Sequence, residues 1–135
     1  MSGGPGRSTL GRTSVAGEDG TLDLVLREAG RVTVAEVAGS IDALTADVLQ
    51  ETLEASIREG GVLLVLDLAA VEYTSSAGLG TILLLVKEAR RSGGDVRLAG
   101  VRPRVSRVLE MTGFTSFMKL YPDAALAVAS FGSAE

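Results

Sequence analysis

The chain is 135 residues long, one domain's length, and its 46 % apolar against 22 % charged content supports a packed core rather than disorder. With 13 basic and 17 acidic side chains the net charge is −4, and aromatics are only 4 %, which argues against direct nucleic-acid binding through basic or stacking surfaces. Cysteine and histidine are absent, so there is no disulfide, thiolate nucleophile, imidazole ligand or histidine base, and metal and cofactor sites are not expected.

Residues Met1–Gly20 (MSGGPGRSTLGRTSVAGEDG) show no apolar periodicity, which predicts a flexible tail. Order is expected to begin at Thr21. Leu22, Leu24 and Leu26 alternate with polar or smaller neighbours as in a half-buried strand, and Ala29-Gly30 turns the chain into a second strand, Val32–Ala38. Gly39-Ser40-Ile41-Asp42 is expected to break that strand. Val48, Leu49, Leu53 and Ile57 then recur at helical spacing, with Thr45 as the predicted N-cap and Gly60-Gly61 as the stop. Val62–Leu66, an unbroken apolar run before Asp67, reads as a central strand buried on both faces.

A second helix follows Tyr73-Thr74-Ser75-Ser76 and ends before Gly93-Gly94. Val96, Leu98 and Ala99 make another strand. Pro103 opens a third helix lined by Val105, Val108, Leu109 and Thr112, and Gly113 closes it. A short strand over Met118–Tyr121 and a last helix capped by Asp123 complete the order ββαβαβαβα, an α/β domain over residues 21–130 with a tail at 131–135. The apolar run Ile82–Val86 is far short of the roughly 20 residues that cross a bilayer, and no signal peptide is visible, so no membrane insertion and a cytoplasmic protein are expected.

The familiar catalytic strings are missing: there is no G-x-x-x-x-G-K-[ST], no D-x-D-x-D-G and no G-x-S-x-G. A hydrolase built on Ser76 would have no histidine to activate it, and Asp42 stands alone where a phospho-acceptor receiver would need paired acids. The informative segment is Tyr73–Gly80. Gly78 and Gly80 sit at a helix start although each glycine costs about 1 kcal/mol relative to alanine in a helix. Either a partner approaches the backbone closely there, or the glycines pack beneath a neighbouring strand and one of Ser75 and Ser76 is simply the N-cap. Leu79, Ile82, Leu83 and Val86 form the predicted core stripe, whereas Ser76, Gly80 and Leu84 form a second i, i+4 row. That row suits a protein partner, unless Leu84 also packs inward.

The stretch Val65-Leu66-Asp67-Leu68-Ala69-Ala70-Val71-Glu72-Tyr73-Thr74-Ser75-Ser76-Ala77-Gly78-Leu79-Gly80 resembles the signature of STAS domains, shared by sulfate transporters and anti-sigma-factor antagonists. Gly39-Ser40-Ile41-Asp42 is similar to that family's segment before the first helix, and Val105–Phe114 to its third-helix segment. The resemblance implies a single STAS-like domain, a mixed sheet with helices packed against it, and no enzymatic activity. It implies a partner, an anti-sigma factor with serine kinase activity that binds the unphosphorylated form, and a serine phosphatase that resets the cycle. Counted back from Gly78-Leu79-Gly80, the acceptor maps to Ser76, with Ser75 its rival. Asp42 matches an acidic residue of the partner surface, which with Ser75, Ser76, Gly78, Gly80 and Leu84 makes the implied contact set; from its place before the first helix alone, Asp42 is either such a contact or a helix-entry cap. The family pattern has an acid where this chain has Ser75. The alternative within the family is a scaffold or transporter-associated subunit that binds a protein or nucleotide without a phosphorylation cycle.

Overall fold

The computed structural model describes residues 8–18 and 20–132. Six strands lie in one sheet in the order of the chain: β1 (Ser8–Ala16), β2 (Thr21–Ala29), β3 (Val32–Ile41), β4 (Leu63–Thr74), β5 (Asp95–Ala99) and β6 (Leu120–Tyr121). The first three are antiparallel, and β3 to β6 are parallel. Helices α1 (Ala43–Arg58), α2 (Ser76–Arg91), α3 (Pro103–Met111) and α4 (Ala124–Ala129) make the connections or follow the last strand. The expected α/β order therefore stands, with one strand added in front.

That strand corrects the flexible tail. Residues 8–16 pair with β2 along most of their length, while residues 1–7 and 19 lie outside the described residues. An edge strand is ordered largely by backbone pairing, so it needs little apolar patterning. Among the described side chains of β1 only Val15, opposite Leu22, packs on the core, and a register shift between Thr9 and Gly11 interrupts any alternation. At the other end Phe131 belongs to the domain, with the Arg97 guanidinium 4.0 Å above its ring. Arg97 is further held by Asp95 at 3.1 Å and donates to the Ser130 carbonyl at 2.8 Å.

The sheet has two unequal sides. Leu24, Val37, Leu66 and Leu98 face α1, α2 and α3 through Leu49, Leu53, Ile82, Leu85 and Leu109, all of them buried. The opposite side has a smaller cluster of Val32, Val34, Val65 and Ala99 under Ala127 of α4. A parallel strand covered on both sides reads as a continuous apolar run, which is why Val62–Leu66 was legible.

Both central strands run further than their sequence suggests. β3 continues through Gly39 to Ile41. Gly39 has φ +106°, and a side chain there would collide with the Thr21 carbonyl on the neighbouring strand. β4 continues to Thr74 because two register shifts against β3, beside Glu36/Ala38 and Gly39/Ser40, each place one extra residue in β4. Two parallel strands thus end level, at Ile41 and Thr74.

Candidate functional site

Level strand ends put two helix starts side by side. Ile41 pairs with Thr74, and the Ser75 N–H donates to the Ile41 carbonyl at 2.8 Å. The next residue on each strand is a helix cap: Asp42 for α1 and Ser75 for α2. Open α/β sheets display functional groups at this carboxyl end of their parallel strands.

Asp42, not Thr45, caps α1. Its Oδ1 accepts from the Leu44 N–H at 2.9 Å and the Thr45 N–H at 3.0 Å. Thr45 is instead the third helical residue, its Oγ1 accepting from the Asp42 N–H at 2.8 Å and donating to the Ser40 carbonyl at 2.9 Å. This reciprocal box satisfies donors that a helix start leaves open. Asp42 is only 2 % exposed. Its carboxylate is thus committed inside the fold, and the partner-contact role expected of it can act only through what it holds in place.

The start of α2 differs. Ser75 is half-buried and its Oγ accepts from the Gly78 N–H at 3.2 Å, so Ser75 is the cap. Ser76 is the first helical residue, exposed, and among the described residues nothing hydrogen-bonds its hydroxyl. Gly78 is buried, because a side chain there would run into Thr74 Oγ1 and stand 2.6 Å from Ile41 Cγ2. This removes Gly78 from the contact set: its glycine serves helix-on-strand packing. Gly80 is exposed, with nothing within 4 Å of where a side chain would begin.

Beyond the first turn, the core stripe comprises Leu79, Ile82, Leu85, Val86 and Ala89. Leu85 is buried and the expected Leu83 only half-buried, so the buried arc lies on the Ile82–Leu85–Ala89 side of the helix rather than on the Leu83 side. Leu83 and Leu84 are both half-buried and flank the outward row of Ser76, Gly80 and Lys87. Two further apolar groups are exposed at this end of the sheet, Leu44 at 55 % and Tyr73 at 42 %. Sequence reasoning passed over both. Leu44 had a usable signal, an apolar residue in the first turn of α1 that stands off the Leu49–Leu53–Ile57 stripe; Tyr73 had none beyond its type.

The arrangement supplies a free hydroxyl at a helix N-terminus, framed by small residues and apolar side chains. Unpaired N–H groups and the positive end of the helix dipole favour an added anion at such a place. Among the described residues no group of three or more His, Cys, Asp or Glu could hold a metal ion, and no helix is long and apolar enough to cross a membrane.

Comparison with known proteins gives this geometry a family setting. The STAS domain model matches residues 23–127. BtrV of Bordetella bronchiseptica, a candidate anti-sigma factor antagonist, is 31 % identical over 113 residues, covering 84 % of this chain and 97 % of the relative. The crystal structure of an anti-sigma factor antagonist from Mycobacterium paratuberculosis superposes with a TM-score of 0.76 at 26 % identity, over 86 % of this chain and 97 % of the other. The Bacillus cell fate determinant SpoIIAA, solved in its phosphorylated form, has the same fold, with a TM-score of 0.65 at 17 % identity, over 80 % and 98 % of the two chains.

Proposed function

The chain belongs to the STAS domain family, and on that premise we propose that it is an anti-sigma-factor antagonist switched by phosphorylation of Ser76. The observation that carries the proposal is the division of labour between adjacent serines: the Ser75 hydroxyl is used by the cap, whereas that of Ser76 is exposed and unbonded among the described residues. The unphosphorylated form binds an anti-sigma factor with serine kinase activity and so releases a sigma factor in the cytoplasm. The contact face comprises Ser76, Ala77 and Gly80, bordered by Leu84, Leu44 and Tyr73, with Asp42 acting from beneath. Ser76 phosphate adds about −1.5 to −2 charges to that face and must be desolvated by any tightly apposed partner, so it releases the complex. A serine phosphatase restores the binding form. The protein itself catalyses nothing in this scheme. The SpoIIAA fold solved in a phosphorylated form supports the compatibility of this fold with such a modification.

The test is phosphorylation by each purified anti-sigma-factor kinase of the same genome with ATP, read by mass spectrometry. A single phosphate on Ser76 is expected, and Ser76→Ala should remove it while keeping the binding. Phosphate on Ser75 with Ser76 unmodified would overturn the acceptor assignment, and no binding or phosphorylation by any kinase would favour a scaffold without the cycle.

A further inference from the structure

The turn from β1 to β2 reaches the start of α1. Gly17 begins this turn, its N–H donating to the Gly20 carbonyl at 2.8 Å. A methyl group on Gly17 would stand 2.5 Å from Asp42 Oδ2, 2.6 Å from Thr45 Cγ2 and 2.8 Å from Asp42 Oδ1. Gly17 is not among the glycines with positive φ, so the backbone there accepts alanine without strain. What requires glycine is the close approach. The groups it touches are the two partners of the capping box, and neither can swing aside freely: Asp42 is 2 % and Thr45 0 % exposed, and the carboxylate is held by the Leu44 and Thr45 N–H groups.

We propose that Gly17 is a positioning residue for partner recognition, seating the β1–β2 turn on the Asp42 cap and thereby fixing Leu44 beside the Ser76 face. This rests on the proposed function. The N-terminal hairpin is then part of the recognition apparatus, although no residue of β1 need touch the partner. Leu44 follows Asp42 by two residues, its N–H bound to Oδ1 and its side chain 55 % exposed, so displacing the carboxylate moves an apolar contact directly.

The experiment pairs Gly17→Ala with the double change Asp42→Ser/Thr45→Ser, whose shorter side chains still offer an oxygen at each position of the capping box but withdraw the carboxylate oxygens and the Thr45 Cγ2 that the methyl group would meet. Two readouts are taken on the full chain: amide exchange at Leu44 and Thr45, and affinity for the anti-sigma-factor kinase that binds the wild type, scaled to the folded fraction. Gly17→Ala should speed both amides and weaken binding about tenfold, and in the Asp42→Ser/Thr45→Ser background the same change should cost little further. Wild-type affinity in Gly17→Ala, or an equal loss in both backgrounds, would overturn the positioning role. If no kinase binds the wild type, the proposed function fails by itself. Unchanged exchange at Leu44 and Thr45 would then separately overturn the seating of the turn on the cap.

Discussion

Two helices start side by side in this domain, and they are finished in opposite ways. At α1 the cap is a carboxylate, reciprocated by Thr45, buried, and overlain by the turn at Gly17. At α2 the cap is a single hydroxyl, half-buried, followed at once by exposed Ser76 and Ala77 and by the bare backbone of Gly80. The first start is closed and the second is open. Their strand ends are paired, so the difference comes from side chains and neighbours rather than from position in the sheet. Under the proposed phosphorylation of Ser76, the group available for modification stands beside one held by its capping bonds.

The sharpest way to break this contrast lies in the two glycines of the open start. Gly78→Val forces a side chain against Thr74 and Ile41, and should destabilise by about 3 kcal/mol, as overpacking of a tight site does. Gly80→Ala meets open space and should stabilise by about 0.5–1 kcal/mol through helix propensity. Denaturant midpoints of the two variants measure the difference, and comparable losses would mean that Gly80 is as confined as Gly78.

Removing the caps gives the next largest effect. Asp42→Ala should cost about 2 kcal/mol, the upper end for a cap, because it leaves buried N–H groups without a partner. Ser75→Ala, with one bond to lose, should cost about 0.5–1 kcal/mol. Equal costs by urea unfolding would show that burial at the closed start adds nothing. Smaller still is the effect of mimicking the modification. Ser76→Asp should melt no lower than the wild type, since an acid is favoured at a helix N-terminus, yet should bind the anti-sigma factor at least tenfold more weakly, about 1.4 kcal/mol by titration calorimetry. Undiminished binding would remove charge from the mechanism.

The elements that repeated an apolar period were legible from sequence, and those ordered by backbone contacts were not. Leu49, Leu53 and Ile57 announced α1, and Pro103 and Asp123 marked the starts of α3 and α4 as found. β1 was hidden because, among its described side chains, only Val15 packs on the core. The ends of β3 and β4 were hidden because register shifts and a left-handed glycine do the work of alternation there. Within the site, Ser76 was placed correctly at the helix start. Thr45, read as the cap, is the third helical residue, and Asp42 is the cap, because a capping box contains two residues able to cap and periodicity does not choose between them. Gly78 and Gly80 look equivalent in one dimension. What distinguishes them is packing against Gly78 by Thr74, four residues before it, and by Ile41, more than thirty residues earlier in sequence.

The sheet's strand order has a consequence for how the chain is made. Each strand lies next to the one synthesised before it, from β1 to β6. A chain leaving the ribosome can therefore add strands to a growing edge, without reserving a gap for a later one. Both helix starts, and the turn that covers one of them, belong to segments complete by Arg91. The small cluster on the opposite side, in contrast, waits for Ala127 of the last helix. A nascent chain thus carries both helix starts while its back is still open.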